Sequence, residues 1–365
     1  MMSPRVLIAA GGTGGHVFPA LAVARALAAH GWHAEWVGTD RGLESRVVPD
    51  AGFALHILRF TGLRGKGLAA WFSLPLRLAK AWSDARQILQ RVKPQVVVAF
   101  GGYVTFPVGL AARWSGIPLC VHEQNAVMGT ANRWLARLAH RVFISFPKTR
   151  FAPTKALLVG NPVRQEITAL SEPGQRYAAR HDALRVLVLG GSLGARAINR
   201  LLPEAVACAK QKGVALQIRH QTGHQDLQAV IAHYQKLGIR AECTAFIDDM
   251  TSAYAWADLL ICRAGASTVS EVCAAGVAAL FIPLPSAIDD HQTANAAFLS
   301  EKDAAWLMRE ARLTPDVLGQ RLAELNREDL KSRALLAREQ RMVNTLSDLT
   351  REITQLSKSG HGAWR

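Results

Sequence analysis

The same local design appears twice in this chain. Arg5-Val-Leu-Ile-Ala-Ala10 runs into the glycine cluster Gly11-Gly-Thr-Gly-Gly-His16 and then into an alanine-rich helical pattern from Pro19 to His30. Arg185-Val-Leu-Val-Leu189 runs into Gly190-Gly-Ser-Leu-Gly-Ala-Arg196 and a helical pattern reaching about Lys212. A short, continuous apolar run bounded by glycines reads as a strand buried on both faces. Pro19 suits a first helical turn, and Gly31 and Gly213 stand where helix stops belong. Further strand-like runs follow each opening: Val96 to Phe100 and Leu119 to His122 in the first half, then Leu216 to His220, Leu259 to Cys262 and Ala279 to Pro283 in the second. Strands alternating with helical patterns predict parallel sheets covered on both faces. The expected fold is α/β, two Rossmann-like doubly wound domains separated by a cleft, with ligands beyond the carboxyl ends of the strands. The boundary is expected at Gly160-Asn-Pro-Val-Arg164, giving domains 1–163 and 164–340 and a C-terminal segment 341–365, amphipathic from about Met342 to Leu356.

A length of 365 residues with 50% apolar side chains suffices for two cores of ordinary size. The apolar run Val6–Ala10 is too short for a secretory core region, so no signal peptide is expected, and no uninterrupted apolar stretch has the length of a spanning helix. Five widely spaced cysteines with no C-x-x-C pair argue against a disulfide framework or a zinc site. The formal net charge of +15 favours an anionic partner: nucleic acid, anionic lipid or a phosphorylated substrate. Nucleic acid is set aside, because the chain shows no zinc spacing, no RNP-like aromatic strand and no single basic stripe.

Glycines between a strand and a helix bring backbone N–H groups close to an anion, and the helix N-terminus adds partial positive charge. Two such turns in matching places point to diphosphate chemistry. The dinucleotide fingerprint fits poorly even with Asp40 as its acid, since Val17 stands where the third glycine should fall, and no Gly-Lys-Ser/Thr makes a P-loop. A third loop follows the run ending at Cys262: Arg263-Ala-Gly-Ala-Ser-Thr-Val-Ser-Glu271. Its small residues bare a helix start to phosphate, and Glu271 has the chemistry to accept hydrogen bonds from ribose hydroxyls. Spacing alone favours another role, since Thr268-Val-Ser-Glu271 is also a capping box. The adjacent pairs Asp248-Asp249 and Asp289-Asp290 read as helix caps rather than a metal motif.

Taken in order, Gly11 to Pro19, Gly62-Leu-Arg-Gly-Lys-Gly67, Gly101-Gly-Tyr103, His122-Glu-Gln-Asn125, Gly160 to Arg164, Gly190-Gly-Ser192, Phe246-Ile-Asp-Asp-Met250, Ser267 to Glu271 and His291-Gln292 resemble the MurG family. These are the UDP-N-acetylglucosamine:undecaprenyl-diphospho-muramoylpentapeptide N-acetylglucosaminyltransferases. The resemblance implies a GT-B fold and an inverting transfer of N-acetylglucosamine (GlcNAc) from UDP-GlcNAc to lipid I, giving lipid II for peptidoglycan. It implies no cofactor and no metal. The alternative is another GT-B enzyme on a UDP-sugar, such as a UDP-sugar 2-epimerase or a glycolipid transferase. Carried over by position, Thr13, Gly14 and Gly15 belong to the loop at the cleft, Asn125 touches the donor sugar and Arg164 lies near the donor. Ser192 sits beside the diphosphate and Ile247 pairs its backbone with uracil. Ala266, Ser267 and Thr268 hold phosphate, with Val269 and Ser270 in the same segment; Glu271 holds ribose and Gln292 reads sugar hydroxyls. With the resemblance, the ribose role for Glu271 overtakes the cap.

An inverting displacement needs a general base for the acceptor hydroxyl and charge stabilisation for the departing diphosphate. His16 is the first candidate base, with holding a phosphate or capping the helix as its alternative, and His122 and Glu123 are the reserves. Between Leu63 and Val92 the apolar Leu68, Trp71, Phe72 and Trp82 are interleaved with cations, and part of this run with Trp114 is expected to dock on anionic inner-membrane lipid. The expected location is peripheral, on the cytoplasmic face of the inner membrane, with an undecaprenyl-linked muramyl pentapeptide as acceptor.

Overall fold

The structure is a computed structural model and describes residues 3–60, 73–190 and 195–359. It divides into two compact units: the chain up to Pro162 together with the segment from Asn344 onward, and Val163–Val343. Ser192, Leu68, Trp71 and Phe72 lie outside the described residues.

The first unit is built on seven parallel strands, β1 (Arg5–Ala10), β2 (His33–Gly38), β3 (Ala54–Ile57), β4 (Val96–Gly101), β5 (Leu119–Glu123), β6 (Arg141–Ile144) and β7 (Leu157–Leu158), in the order β3-β2-β1-β4-β5-β6-β7. The period-2 pleat of β1 divides its side chains between two cores. Leu7 and Ala9 face a layer shared with the helices Leu74–Val92 and Thr105–Trp114. Val6, Ile8 and Ala10 face the layer formed by the helix Gly14–Ala29 and by Leu349, Ile353 and Leu356 of the C-terminal helix Thr345–Ser359.

The second unit carries six parallel strands, β8 (Leu184–Leu189), β9 (Leu216–Gln221), β10 (Ala241–Thr244), β11 (Leu259–Cys262), β12 (Ala278–Phe281) and β13 (Ala305–Leu307), in the order β10-β9-β8-β11-β12-β13. Val186, Val188, Leu259 and Ile261 pack with Ile198 and Leu202 of the helix Arg196–Gln211 and Leu318 of the helix Pro315–Ala323. In each unit the order reverses at its opening strand, between β1 and β4 and between β8 and β11. Ligands of doubly wound sheets bind at such reversals, and the glycine turns fall there.

One local expectation is corrected. The first helix begins at Gly14, with Thr13 as its N-cap, so Pro19 lies inside the helix rather than in its first turn. Pro19 has no N–H for the carbonyl one turn back. Gly14, Gly15 and His16 thus form the first helical turn and share its electropositive end.

Candidate active site

At the first reversal, two glycine segments interlock. Gly11 N–H donates to Gly101 O at 3.3 Å, and Gly102, at φ +88°, approaches so closely that a Cβ there would collide with the Gly11 carbonyl. The His16 ring lies over Gly101, where a Cβ would come 2.8 Å from Cδ2, and His16 Nδ1 is 3.5 Å from Thr13 Oγ1. Gly101 is therefore the seat of the imidazole, and Gly102 that of the Gly11 carbonyl. His16 is partly exposed in the first turn of a 16-residue helix.

His122 and Glu123, the reserve bases, have another place. His122 is fully buried on β5; its Nε2–H donates to Gly160 O at 3.0 Å and its Nδ1 accepts from Gln124 Nε2 at 2.9 Å. Burial pushes its pKa down to about 4, so the ring is neutral near pH 7. Both nitrogens are engaged and no face reaches solvent. The Glu123 carboxylate, 1% exposed, accepts from Asn125 N–H at 2.9 Å, Asn125 Nδ2 at 3.2 Å, Gly129 N–H at 3.0 Å and Asn132 Nδ2 at 2.8 Å. Four donors saturate it. Asn161 completes the lattice, donating to Gln124 O at 3.1 Å while its Oδ1 accepts from Ser145 Oγ at 2.9 Å. The motifs His122-Glu-Gln-Asn125 and Gly160-Asn161 brace one another, and Asn125 is held by the carboxylate beside it.

At the second reversal, β11 leads through Arg263-Ala-Gly265 into the helix Ala266–Ala275. Side chains hold this loop. Arg263 donates to Ile282 O at 3.1 Å, Asn295 Nδ2 to Ala264 O at 3.1 Å, and Gln292 Oε1 accepts from Ala264 N–H at 3.2 Å and Leu284 N–H at 3.0 Å. With its oxygen occupied, Gln292 has its amide N–H groups to offer to a hydroxyl. The helix N-cap is Gly265, with no side-chain cap, and the buried Ser267 Oγ in its first turn finds no hydrogen-bond partner among the described residues.

Glu271 stands too far into this helix to form a capping box with Thr268. Its Oε2 accepts from Tyr254 OH at 2.9 Å, and Arg164 NH2 lies 3.9 Å from its Oε1. Burial raises its pKa above the usual carboxylate range, while the Arg164 charge and the Tyr254 hydrogen bond pull it back. Arg164, half exposed, is the N-cap residue of the short helix Gln165–Thr168. On a neighbouring loop, Ile247 N–H donates to Gln221 Oε1 at 3.1 Å. Of the aspartate pairs, Asp249 caps the helix Met250–Trp256 by accepting from Ser252 N–H at 2.9 Å.

The structure thus brings Thr13, Gly14, Gly15 and His16 onto one feature, and Arg164, Glu271, Ala266–Ser270 and Gln292 onto another. Sequence reasoning missed Glu44, Tyr254 and Gln221. Tyr254 and Gln221 belong to apolar or strand-like runs and carry no motif of their own. Glu44 lies four residues beyond Asp40, the acid weighed from spacing; Asp40 is exposed, whereas Glu44 is buried at the glycine loop.

The chain matches the glycosyltransferase family 28 N-terminal domain over residues 6–144 and the glycosyltransferase family 28 C-terminal domain over residues 185–353. It is 54% identical over 338 residues to the UDP-N-acetylglucosamine–N-acetylmuramyl-(pentapeptide) pyrophosphoryl-undecaprenol N-acetylglucosamine transferase of Bordetella parapertussis, covering 93% of this chain and 94% of the relative. The transferase of the same name from Paracidovorax citrulli is 47% identical, over 98% of this chain and 100% of the relative. The crystal structure of Acinetobacter baumannii MurG superposes with a TM-score of 0.86 at 41% identity, over 96% of this chain and 99% of that one.

Proposed function

Since the chain belongs to glycosyltransferase family 28 and, within it, to the N-acetylmuramyl-(pentapeptide) pyrophosphoryl-undecaprenol N-acetylglucosamine transferases, we propose that it moves GlcNAc from UDP-GlcNAc onto undecaprenyl-diphospho-N-acetylmuramoyl pentapeptide. The product is lipid II, and the reaction belongs to peptidoglycan synthesis. The observation that carries this is coverage: the likeness runs through 93% of the chain at 54% identity and so includes both sheet reversals and the loops on them.

The second unit takes the donor. The bare start of the helix Ala266–Ala275, with Ala266, Ser267 and Thr268, holds the diphosphate together with Ser192 of the second glycine turn. Its N–H groups and dipole meet the charge that grows on UDP as the glycosidic bond breaks. Glu271 receives the ribose hydroxyls on Oε1, beside Arg164. Ile247 reads uracil through its backbone, and Gln292 donates to the sugar. The first unit takes the acceptor, with His16 drawing the proton from the attacking hydroxyl and the loop Thr13-Gly14-Gly15 aligning it; Asn125 contacts the transferred sugar. Among the described residues no helix is long and apolar enough to cross a membrane. The helices Leu74–Val92 and Thr105–Trp114 supply a peripheral docking surface for anionic lipid at the inner face of the membrane.

The test is UDP release from UDP-GlcNAc with and without the muramyl lipid. Release only in the presence of both substrates, with GlcNAc recovered on the lipid, is the expected result. Release of UDP without acceptor, or conversion of the sugar at C2, would instead place the chain with the UDP-sugar epimerases.

A further inference from the structure

Glu44 is a fully buried carboxylate at the start of the helix Glu44–Asp50, just after β2. Its Oε2 accepts from Gly12 N–H at 3.0 Å; its Oε1 accepts from Thr39 N–H at 2.9 Å and Thr39 Oγ1 at 2.7 Å. Thr39 Oγ1 in turn accepts from Gly42 N–H at 3.1 Å. Glycines make the room it occupies: a Cβ on Gly11 would come 2.7 Å from Oε1, one on Gly38 would come 2.5 Å from Cγ, and one on Gly42 would run into the carboxylate. No cation pairs with it among the described residues. Burying a carboxyl group is costly unless hydrogen bonds hold it, and three donors, Gly12 N–H, Thr39 N–H and Thr39 Oγ1, hold this one.

The role of this carboxyl group is geometric. Gly12, at φ +94°, has its N–H drawn inward, while Gly11 is tied on its other side to Gly101 and Gly102. The loop is clamped on both flanks immediately before Thr13 and His16. In the second unit Gly190 N–H, which follows β8 as Gly11 follows β1, is likewise held by a carbonyl, Gln221 O at 3.3 Å, and Ala264 N–H after β11 is held by the single amide oxygen Gln292 Oε1 at 3.2 Å. A glutamate side chain offers acceptor sites on both of its oxygens, whereas an amide side chain offers one oxygen only. We infer that Glu44 is a positioning residue for the transfer, fixing the first glycine loop so that the helix turn bearing His16 meets the acceptor hydroxyl. This rests on the reading that the first loop carries the acceptor chemistry.

Glu44→Gln keeps the volume but turns an NH2 toward Gly12 N–H or toward the Thr39 donors, so one donor set faces a donor. The expected result in the acceptor-dependent assay is a kcat lower by about tenfold to a hundredfold, the scale of a misplaced reacting group. KM for UDP-GlcNAc and the calorimetric Kd for UDP should stay within about twofold. Glu44→Asp, which keeps two acceptor oxygens, should recover part of the loss, and it gives the same kcat-to-KM comparison if the glutamine variant does not fold. Unchanged kcat in well-folded Glu44→Gln overturns the inference. So does a fall in UDP affinity parallel to kcat, which marks a general structural role. His16→Ala separates the premise: if it keeps full turnover while Glu44→Gln is slow, the base assignment fails and the loop-positioning role stands; if His16→Ala is slow and Glu44→Gln is not, the inference alone fails.

Discussion

Glu271 occupies a site that opposes its own charge. Burial raises its pKa, and the counterweights are the Arg164 guanidinium 3.9 Å from Oε1 and the Tyr254 hydroxyl 2.9 Å from Oε2. An ionised carboxylate accepts two ribose hydroxyls, whereas a protonated one loses acceptor capacity. Removing the Tyr254 hydroxyl withdraws a bond that favours the charged form, so Tyr254→Phe raises the Glu271 pKa further. UDP affinity, measured by calorimetry across pH, should then begin to fall at a higher pH in Tyr254→Phe than in the parent. In Glu271→Gln the affinity should be weak and flat with pH. Coincident parent and Tyr254→Phe curves would remove the tyrosine from this role. Neither the tyrosine nor its effect is visible in the spacing of Thr268-Val-Ser-Glu271, which reads as a capping box until the helix is seen to begin at Ala266. The same limit explains His122 and Glu123. Their residue types fit a base, yet burial and four donors, facts of tertiary structure, make them a brace.

Among the elements, what the sequence made legible is mainly the set of strands with an unbroken apolar run. The runs read as strands correspond to β1, β4, β5, β8, β9, β11 and β12, chiefly the sheet interiors, where burial on both faces imposes continuous apolar sequence. The edge strands β3, β7, β10 and β13 escaped, being at most four residues long, and so did the interior strands β2 and β6, whose apolar runs are broken by His33, Glu35 and Arg141. The helix Leu74–Val92 divides by burial. Its second half is core, burying Ala81, Ala85, Ile88, Leu89 and Val92, whereas Leu76 near its start is 77% exposed. Trp82 is half-buried, edge-on to Trp114 at 6.1 Å with the Arg86 guanidinium 5.8 Å over its ring, and Trp114 itself is 68% exposed. Inserting an apolar side chain contributes about 1.5–3 kcal/mol, and each cation near an anionic surface about 1 kcal/mol. The double variant Leu76→Ser, Trp114→Ala should therefore bind phosphatidylglycerol vesicles at least about tenfold more weakly in a sedimentation assay, with UDP binding unchanged. Undiminished vesicle binding would put the docking surface elsewhere.

At the scale of the molecule, each unit carries, among the described residues, one buried neutral histidine that ties its sheet to a neighbouring segment. In the first unit it is His122, on Gly160 O and Gln124. In the second it is His220, whose Nε2–H donates to Asn199 Oδ1 at 3.0 Å while Nδ1 accepts from Tyr234 OH at 3.2 Å. Burial pushes both down to about 4 from an ordinary value of 6.5. The sign follows from linkage: below pH 6.5 the unfolded chain takes up protons that the folded chain refuses until about pH 4, so this stability is complete above 6.5 and is lost as the pH falls through that window. Each histidine contributes on the order of 3 kcal/mol, with a slope near 1.4 kcal/mol per pH unit in mid-window. Because the +15 formal charge counts histidines as neutral, acidification also adds self-repulsion, in the same direction. Denaturant midpoints followed from pH 7 to pH 4.5 should fall for both units, each read in a variant that keeps one of the nine tryptophans, Trp36 for the first unit and Trp306 for the second. His220→Gln should be less stable than the parent at pH 7 yet flatter with pH in the second unit alone, since the non-titrating side chain removes one proton from the difference. A variant whose acid slope equals the parent's would show that the proton taken up on unfolding belongs to another group.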